Sequence, residues 1–348
     1  MMKVLHSVHN YFGFSGASKQ AKNIALNLKH HYPNIEQRFF SIGKKNEAKK
    51  SQDFIVYNTK PSLTKRCIEF IFILYKYKPD LVHFHGADFA LLIICKLFRI
   101  KIYWKTTLLG SDDFNTLTQG RYGYLKKNLL NLIDINNTLT KQIYRINSQH
   151  LPSQKLVTIP NGVNIPSPPL LNYKEKIAII VSAIIPRKSI IEGIEFFNKN
   201  LSIHGYILYI IGPNNNQLDG FDDEYYKKCL FFSGENIIFT GKLSHKRTLE
   251  YFRKSHFLIH LAKYEGMPNV VLEAMAYSVF PIISSMSGLA NELIENNITG
   301  FNIDCTEKFY ISNFPSINNK GREFIIRKNS FQTVTKKTYS IYSNILSK

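Results

Sequence analysis

Residues 265–276 read EGMPNVVLEAMA and follow a short apolar run, 257–260, that predicts a strand. Pro268 suits the first position of a helix, where its missing N–H costs nothing. Gly266 lets the backbone approach a ligand closely. The unpaired N–H groups of the first helical turn favour an oxygen-rich ligand. This order of strand, glycine loop and helix predicts a ligand site in an α/β protein.

The same alternation of strands and helices extends outward from this stretch in both directions. The predicted strands of the second half are 177–185, 206–211, 237–240, 257–260 and 280–284, and its helices are 190–198, 248–254 and 270–276. The predicted strands of the first half are 3–8, 79–85 and 100–104, with helices that begin at Ser18 and Asp88. Alternation of this kind favours parallel sheets with helices on both faces.

A proline-rich stretch, 159–169, divides the chain. Four prolines and a glycine in eleven residues can continue neither a helix nor a central strand. We predict an N-terminal Rossmann-like domain over 1–165, a C-terminal Rossmann-like domain over 166–330, and a C-terminal helix over 331–348 that packs back towards the first domain. Ligands of open parallel sheets bind beyond the carboxyl ends of strands, so the cleft between two such domains is the expected site.

Two pairs of charged residues are candidates for ligand binding. Glu265 and Glu273 would lie about 12 Å apart on a fully helical path, at ~1.5 Å per residue. They could therefore bracket an elongated ligand but not share one metal ion. Arg187 and Lys188 follow a predicted strand and could neutralise a diphosphate. The alternative for each pair is a set of structural or solvated surface charges.

The charge of the chain is strongly positive and unevenly distributed. The net charge is +20, and residues 1–150 carry 23 Lys and Arg against 9 Asp and Glu. The lysine-rich clusters are 44–45, 49–50 and 65–66. Such a basic half favours a nucleic acid or an anionic lipid surface, or is a solvated surface without a partner. No helix-turn-helix, zinc-finger or RNP pattern is present, so nucleic acid is not a predicted partner.

Cysteine usage and hydropathy point to a reducing compartment. The four cysteines form no CxxC pair, which predicts free thiols and no zinc site. The longest apolar runs fall far short of the ~20 residues that span a bilayer. The N-terminus lacks the apolar segment of a secretion signal. We therefore predict a cytoplasmic protein, held peripherally at the inner face of the plasma membrane by its positive charge.

These motifs together resemble glycosyltransferase family 4, whose members are retaining enzymes with the GT-B fold, two Rossmann-like domains facing each other across a cleft. Glu265 and Glu273 match the E-x7-E signature of that family. The stretches that resemble its other motifs are 79–85 (PDLVHFH), 159–163 (IPNGV), 239–241 (FTG), 288–292 and 299–301. The resemblance covers nearly the whole chain.

The resemblance implies a role for each candidate residue. Glu273 would bind the ribose of a nucleotide-sugar, and Glu265 with the backbone of 266–269 would bind the transferred sugar. Arg187 and Lys188 would stabilise the leaving diphosphate. The complete expected donor-binding set is Gly16, Glu265, Gly266, Met267, Asn269, Val270 and Glu273. No metal or other cofactor is expected, because the cations would stabilise the leaving group.

The chain departs from the family pattern at two places in its first half. Ser15 and Gly16 stand where the family has two glycines, and Lys105 stands near the place of a family histidine that contacts the sugar. His85 and Lys105 are the candidate contacts of the sugar or acceptor. The expected function is transfer of a hexose-type sugar from UDP or GDP to a saccharide, lipid-linked, in cell-surface polysaccharide or lipopolysaccharide assembly. The alternative is a catalytically impaired GT-B scaffold subunit.

Overall fold

The computed structural model describes residues 1–13, 16–43, 52–167, 173–214 and 220–347. They form two compact units, one of Met1–Gly162 with Phe331–Lys348 and the other of Val163–Ser330. The change from one unit to the other, between Gly162 and Val163, falls inside the proline-rich stretch 159–169. The first part of that stretch is built into the first unit, because Ile159 and Asn161 are buried.

The first unit contains a seven-stranded parallel sheet in the order β3-β2-β1-β4-β5-β6-β7. Its strands are β1 (Met2–His9), β2 (Ile35–Ile42), β3 (Ile55–Thr59), β4 (Leu81–His85), β5 (Lys101–Thr106), β6 (Ile135–Thr138) and β7 (Leu156–Thr158). The sequence predicted β1, β4 and β5, but it missed the other four. In β6 the buried residues Asn136 and Asn137 are polar, so apolar periodicity does not reveal the strand.

Helices cover both faces of this sheet. They are α1 (Gly16–His31), α2 (Leu63–Tyr77), α3 (Phe89–Leu97), α4 (Phe114–Leu117), α5 (Gly123–Leu130) and α6 (Lys141–Asn147). Successive residues of a strand point to opposite faces, and Val82 packs with the inner side chains of α2, α3 and α5 in one core cluster. Leu81 packs in a different cluster with α1. The helices α2, α3 and α5 therefore share one face, and α1 lies on the other.

The second unit contains a six-stranded parallel sheet in the order β10-β9-β8-β11-β12-β13. Its strands are β8 (Glu175–Val181), β9 (Ile207–Ile211), β10 (Ile237–Gly241), β11 (Ser255–His260), β12 (Phe280–Ile283) and β13 (Phe301–Asn302). Its helices are α7 (Ile190–Asn200), α8 (Asp223–Phe231), α9 (His245–Lys254), α10 (Asn269–Ala276), α11 (Ala290–Leu293) and α12 (Asn319–Asn329). The two parallel-sheet α/β domains predicted from the sequence are confirmed.

The last helix, α13 (Phe331–Leu346), belongs to the first unit although it follows the second in sequence. Phe331, Tyr342 and Ile345 pack with Ile24 and Leu28 of α1 in the core cluster that holds Leu81. This helix therefore completes the α1 side of the first sheet. Within the described parts of the chain, no helix combines the length and apolar character that a membrane span requires.

Candidate functional site

The second unit gathers several charged side chains at the carboxyl ends of β8 and β11. Lys188 donates a hydrogen bond to Oε1 of Glu265. The same oxygen lies 3.7 Å from Nη1 of Arg187 and 3.4 Å from Nε2 of His260. Three residues predicted from the sequence, Arg187, Lys188 and Glu265, thus meet in one cluster.

The electrostatics of this cluster favour a charged Glu265. Burial by itself raises the pKa of the Glu265 carboxyl, but His260 and the positive charge of Lys188 outweigh burial and lower this pKa to about 2. Burial lowers the pKa of the His260 imidazole, which favours its neutral form. The neutral ring keeps one N–H, and its Nε2 faces the carboxylate at 3.4 Å without meeting the geometry of a hydrogen bond. The cluster therefore holds two cations around one anion and has excess positive charge.

The two cations lie in a short 3-10 helix, Pro186–Lys188, rather than directly after a strand. The sequence predicted a strand over 177–185, but β8 ends at Val181. Nη1 of Arg187 donates to the carbonyl oxygen of Tyr264 over 3.1 Å, and the backbone N–H of Lys263 donates to the carbonyl of Arg187. These bonds tie the 3-10 helix to the loop that carries Glu265.

The predicted donor-binding stretch forms that loop and the start of α10. Pro268 is the N-cap of the helix, one position earlier than predicted, and Asn269 is the first helical residue. Gly266 and Met267 are buried, whereas Asn269, Val270 and Glu273 are half-buried. Only Glu273 of the two glutamates lies on the helix. The separation expected from a fully helical path between Glu265 and Glu273 therefore does not apply.

His260 is the member of the cluster that the sequence analysis missed. It is the last residue of β11, and its side chain is buried. A signal was present, because the carboxyl ends of parallel strands are where sites form and His260 stands five residues before Glu265. Apolar periodicity assigned His260 to the strand but gave no sign of a role in the site.

A second polar cluster lies in the first unit, where β1 and β4 pair in parallel with His6 beside His83. Nδ1 of His6 is 3.1 Å from Nε2 of His85, and Nε2 of His6 is 3.0 Å from Oε1 of Gln37. His83 Nδ1 is 2.5 Å from the hydroxyl of Tyr342. Among the described residues, this is the histidine grouping that could hold a metal, with ligand atoms within 4.8 Å of one another. The expectation that no metal is bound stays a prediction.

The candidate sugar contacts His85 and Lys105 are both buried in the structure. Burial lowers the pKa of Lys105 to about 7, against the opposing charge of Asp112. Its Nζ donates to Oδ1 of Asn161 over 3.0 Å. Gly16, by contrast, is exposed at the first position of α1, and Ser15 lies outside the described residues. Contact of these side chains with a sugar stays a prediction.

Comparisons with known proteins agree with this architecture. Residues 164–309 match the family model described as "Glycosyl transferases group 1". No curated protein sequence matches the chain.

Solved structures with the same fold include a glycosyltransferase from Rickettsia africae, with 17% identity, a TM-score of 0.75 and coverage of 99% of this chain and 98% of that one. HepE of Anabaena, in complex with UDP and glucose, has 14% identity and a TM-score of 0.74. The match covers 99% of this chain and 100% of that one. The lipopolysaccharide outer core galactosyltransferase WaaB in its apo form has 16% identity and a TM-score of 0.62, with coverage of 96% and 94%.

The matched domain lies in the second unit, where it includes Arg187, Lys188, His260, Glu265 and Glu273. The likeness to the solved structures extends over both parallel-sheet units, because it covers 99% of this chain. On these grounds the chain is a glycosyltransferase with the GT-B fold.

Proposed function

We propose that the protein is a retaining transferase of family 4 that moves a hexose-type sugar from UDP or GDP to a saccharide acceptor. The observation that carries this proposal is the cluster of Lys188, Arg187 and Glu265 beside the start of α10. A nucleotide-sugar presents a diphosphate and hydroxyl groups side by side. The cluster offers cations for the first and a charged carboxylate for the second.

In this proposal Glu265 holds the two cations in place before the donor arrives. The diphosphate then becomes their partner, and it is the group on which negative charge develops as the glycosidic bond breaks. Preorganised cations stabilise such charge without reorganisation during the reaction. Glu265 and the backbone of 266–269 bind the transferred sugar, and Glu273, one helical turn into α10, binds the ribose. The departing phosphate accepts the proton of the attacking acceptor hydroxyl.

The acceptor is proposed to be lipid-linked and to bind the first unit, in assembly of a cell-surface polysaccharide or lipopolysaccharide. The positive charge of residues 1–150 supports an acceptor presented at an anionic bilayer. WaaB, which has a similar fold, is named as a lipopolysaccharide outer core galactosyltransferase, and this supports the proposed acceptor. The UDP bound to HepE supports a UDP-sugar as the donor. The protein would act on the cytoplasmic face of the plasma membrane, without a metal.

The test combines a donor screen with kinetics of Lys188→Ala. Thermal shifts with UDP- and GDP-sugars identify the donor, and hydrolysis or transfer by the purified chain then provides the assay. We expect Lys188→Ala to lower kcat by about 10²–10³-fold, because one preorganised charge donor is lost in the transition state. The donor KM should change much less, since the charge develops only as the bond breaks.

Lys199→Ala is the matched control, because Lys199 is an exposed lysine of α7 in the same unit. It should leave kcat and KM unchanged. A Lys188→Ala enzyme with full kcat and a raised donor KM would show uniform binding and would refute the catalytic role. Absence of hydrolysis and transfer with every nucleotide-sugar would favour the scaffold alternative.

A further inference from the structure

Helix α2 exposes a stripe of large apolar side chains. Ile68, Ile71, Phe72 and Tyr75 are 62%, 41%, 56% and 71% exposed. Their spacing of three and four residues places them on one side of the helix. The inner side of the same helix is also apolar and is buried in the core of the first unit. Packing within the unit therefore explains one side of α2 and leaves the other unexplained.

The neighbouring helices extend this apolar surface. Helix α3 packs against both α2 and α5. It exposes Leu97 at 76%, and α5 exposes Tyr124 and Leu125 at 78% and 59%. All three helices cover the same face of the sheet, so their outward side chains share one side of the first unit. We call this surface the α2–α3–α5 face.

The charges on the same helices are almost all positive. Helices α2, α3 and α5 carry six Lys and Arg and one Glu, which are Lys65, Arg66, Lys76, Lys96, Lys126, Lys127 and Glu69. Lys76 and Lys127 are exposed. Arg66 is half-buried against Asp88, and Lys96 pairs with Asp134. Aromatic and aliphatic side chains surrounded by lysines are the composition of surfaces that lie in the interface of an anionic membrane.

We propose that the α2–α3–α5 face docks onto an anionic bilayer, with its lysines against the lipid headgroups and its exposed apolar side chains inserted below them. This inference rests on the proposed function, in which the acceptor is lipid-linked and docking would bring the enzyme to it. It adds a defined surface and an apolar contribution to an attraction that charge alone suggested. Of the lysine clusters in the sequence, Lys65 and Arg66 lie on this face, whereas residues 44–45 and 49–50 lie outside the described residues.

Charge also distinguishes the bilayer from a second copy of the chain as the occupant. A symmetric dimer would place this face against itself. Lys65, Arg66 and Lys96 have acidic partners within the unit. Lys76, Lys126 and Lys127 have no ion pair among the described residues, so in such a dimer they would meet the same three lysines of the other copy, and like-charge contacts are unfavourable. An anionic bilayer has negatively charged headgroups that would meet the lysines and an apolar interior below them that would take up the exposed apolar side chains.

The experiment is flotation of the purified full chain with vesicles of phosphatidylcholine containing about one third phosphatidylglycerol, as in membranes whose surface potential attracts basic segments. The test variant is the double change Phe72→Ser and Leu97→Ser. The matched control is Ile203→Ser with Tyr310→Ser, which removes one aliphatic and one aromatic side chain of similar exposure, 73% and 56%, from the second unit. All four positions are exposed, so folding should survive.

We expect the test variant to bind these vesicles about tenfold or more weakly than the parent, and the control to bind equally well, because only the former loses inserted apolar area. Binding of the parent should weaken with salt, which screens the headgroup attraction within about 10 Å. Part of this binding should persist at a salt concentration of about 0.5 M, because salt does not screen the inserted apolar contacts. The binding of the test variant that remains at that salt concentration should be weaker than that of the parent, because two of the seven inserted apolar side chains are lost.

Equal binding of the two double variants would overturn the proposal, as would failure of the parent to bind anionic vesicles. A parent that sediments as a dimer while the test variant is monomeric, with vesicle binding unchanged, would instead assign the face to a second copy. Donor hydrolysis measured without vesicles reports on the proposed function separately. An active enzyme that ignores vesicles would refute the docking face alone.

Discussion

Lys105 makes the free energy of unfolding of the first unit depend on pH. The pKa of its buried amine is lowered to about 7 by burial, whereas a lysine in an unfolded chain has a pKa of ~10.4. Between these values the unfolded chain binds a proton that the folded chain does not. The free energy of unfolding therefore rises with pH in this window, by up to ~1.4 kcal/mol per pH unit.

We predict that Lys105→Met removes this dependence and stabilises the first unit more at pH 7 than at pH 9, because the buried amine of the parent is still half charged at pH 7. Urea unfolding can be followed by the fluorescence of Trp104, the single tryptophan of the chain, which is buried in the first unit. The stability advantage of the variant over the parent should shrink by more than about 1 kcal/mol between pH 7 and pH 9. An advantage that stays constant over this range would contradict the lowered pKa.

At the same scale, Glu265 and its two cations show how much of a site the residue types in the sequence can predict. The sequence named Arg187, Lys188 and Glu265 separately, as a phosphate pair and a sugar carboxylate. The structure brings them onto one oxygen atom, Oε1 of Glu265. Chemistry of the side chains was readable one residue at a time, whereas their mutual contact depends on two loops that are 77 residues apart in sequence.

At the scale of elements, the ends of β8, β9 and β10 approach each other closely. The backbone N–H of Ser182 donates to the carbonyl of Ile211, and that of Gly212 donates to the carbonyl of Gly241. A Cβ atom on Gly212 would lie 1.7 Å from the carbonyl oxygen of Ser182. The contact is with backbone, which has no side-chain torsion to relieve it.

Gly212→Ala should therefore destabilise the second unit by about 1–3 kcal/mol, the usual cost of overpacking. The measurement is urea unfolding followed by far-ultraviolet circular dichroism. Gly234→Ala is the control, because a Cβ atom at Gly234 meets nothing within 4 Å. Equal stability of the two variants would mean that the strand ends can separate at little cost.

At the scale of the molecule, the chain returns to its first unit after completing the second. Helix α13 contributes Phe331, Tyr342 and Ile345 to the cluster that also holds Val4 and Leu81. Tyr342 in addition bonds to His83. The first unit therefore depends on residues more than 160 positions beyond the end of its main segment at Gly162.

A chain that ends at Ser330 should lose stability in the first unit specifically, because the buried side chains of β1 and β4 lose their covering helix. Hydrogen exchange should accelerate in β1 and β4, while β8 and β11 should keep the protection they have in the full chain. The unfolding transition that Trp104 reports should move to a lower urea concentration. The free energy of unfolding of the first unit should fall by several kcal/mol, since truncation of a single buried aromatic side chain costs about 3–5 kcal/mol. Unchanged exchange in β1 would contradict this dependence.

The sequence alone determined the class of fold, because apolar periodicity and glycine loops are local. It predicted most strands of the second unit, the alternation with helices, and the charged residues of the candidate site. It missed β6, whose buried Asn136 is satisfied by Trp104 and Thr106, since polar strands become visible only through their partners. It also missed His260, which looked like any strand residue.

Only the tertiary structure decided which residues meet. It ended β8 at Val181, gathered His260 with Glu265, and buried His85 and Lys105. It also left the outer side of α2 uncovered, although that side carries four large apolar side chains, Ile68, Ile71, Phe72 and Tyr75. The physical reason is that periodicity records only the local chain, whereas burial and contact depend on which distant segments pack against it.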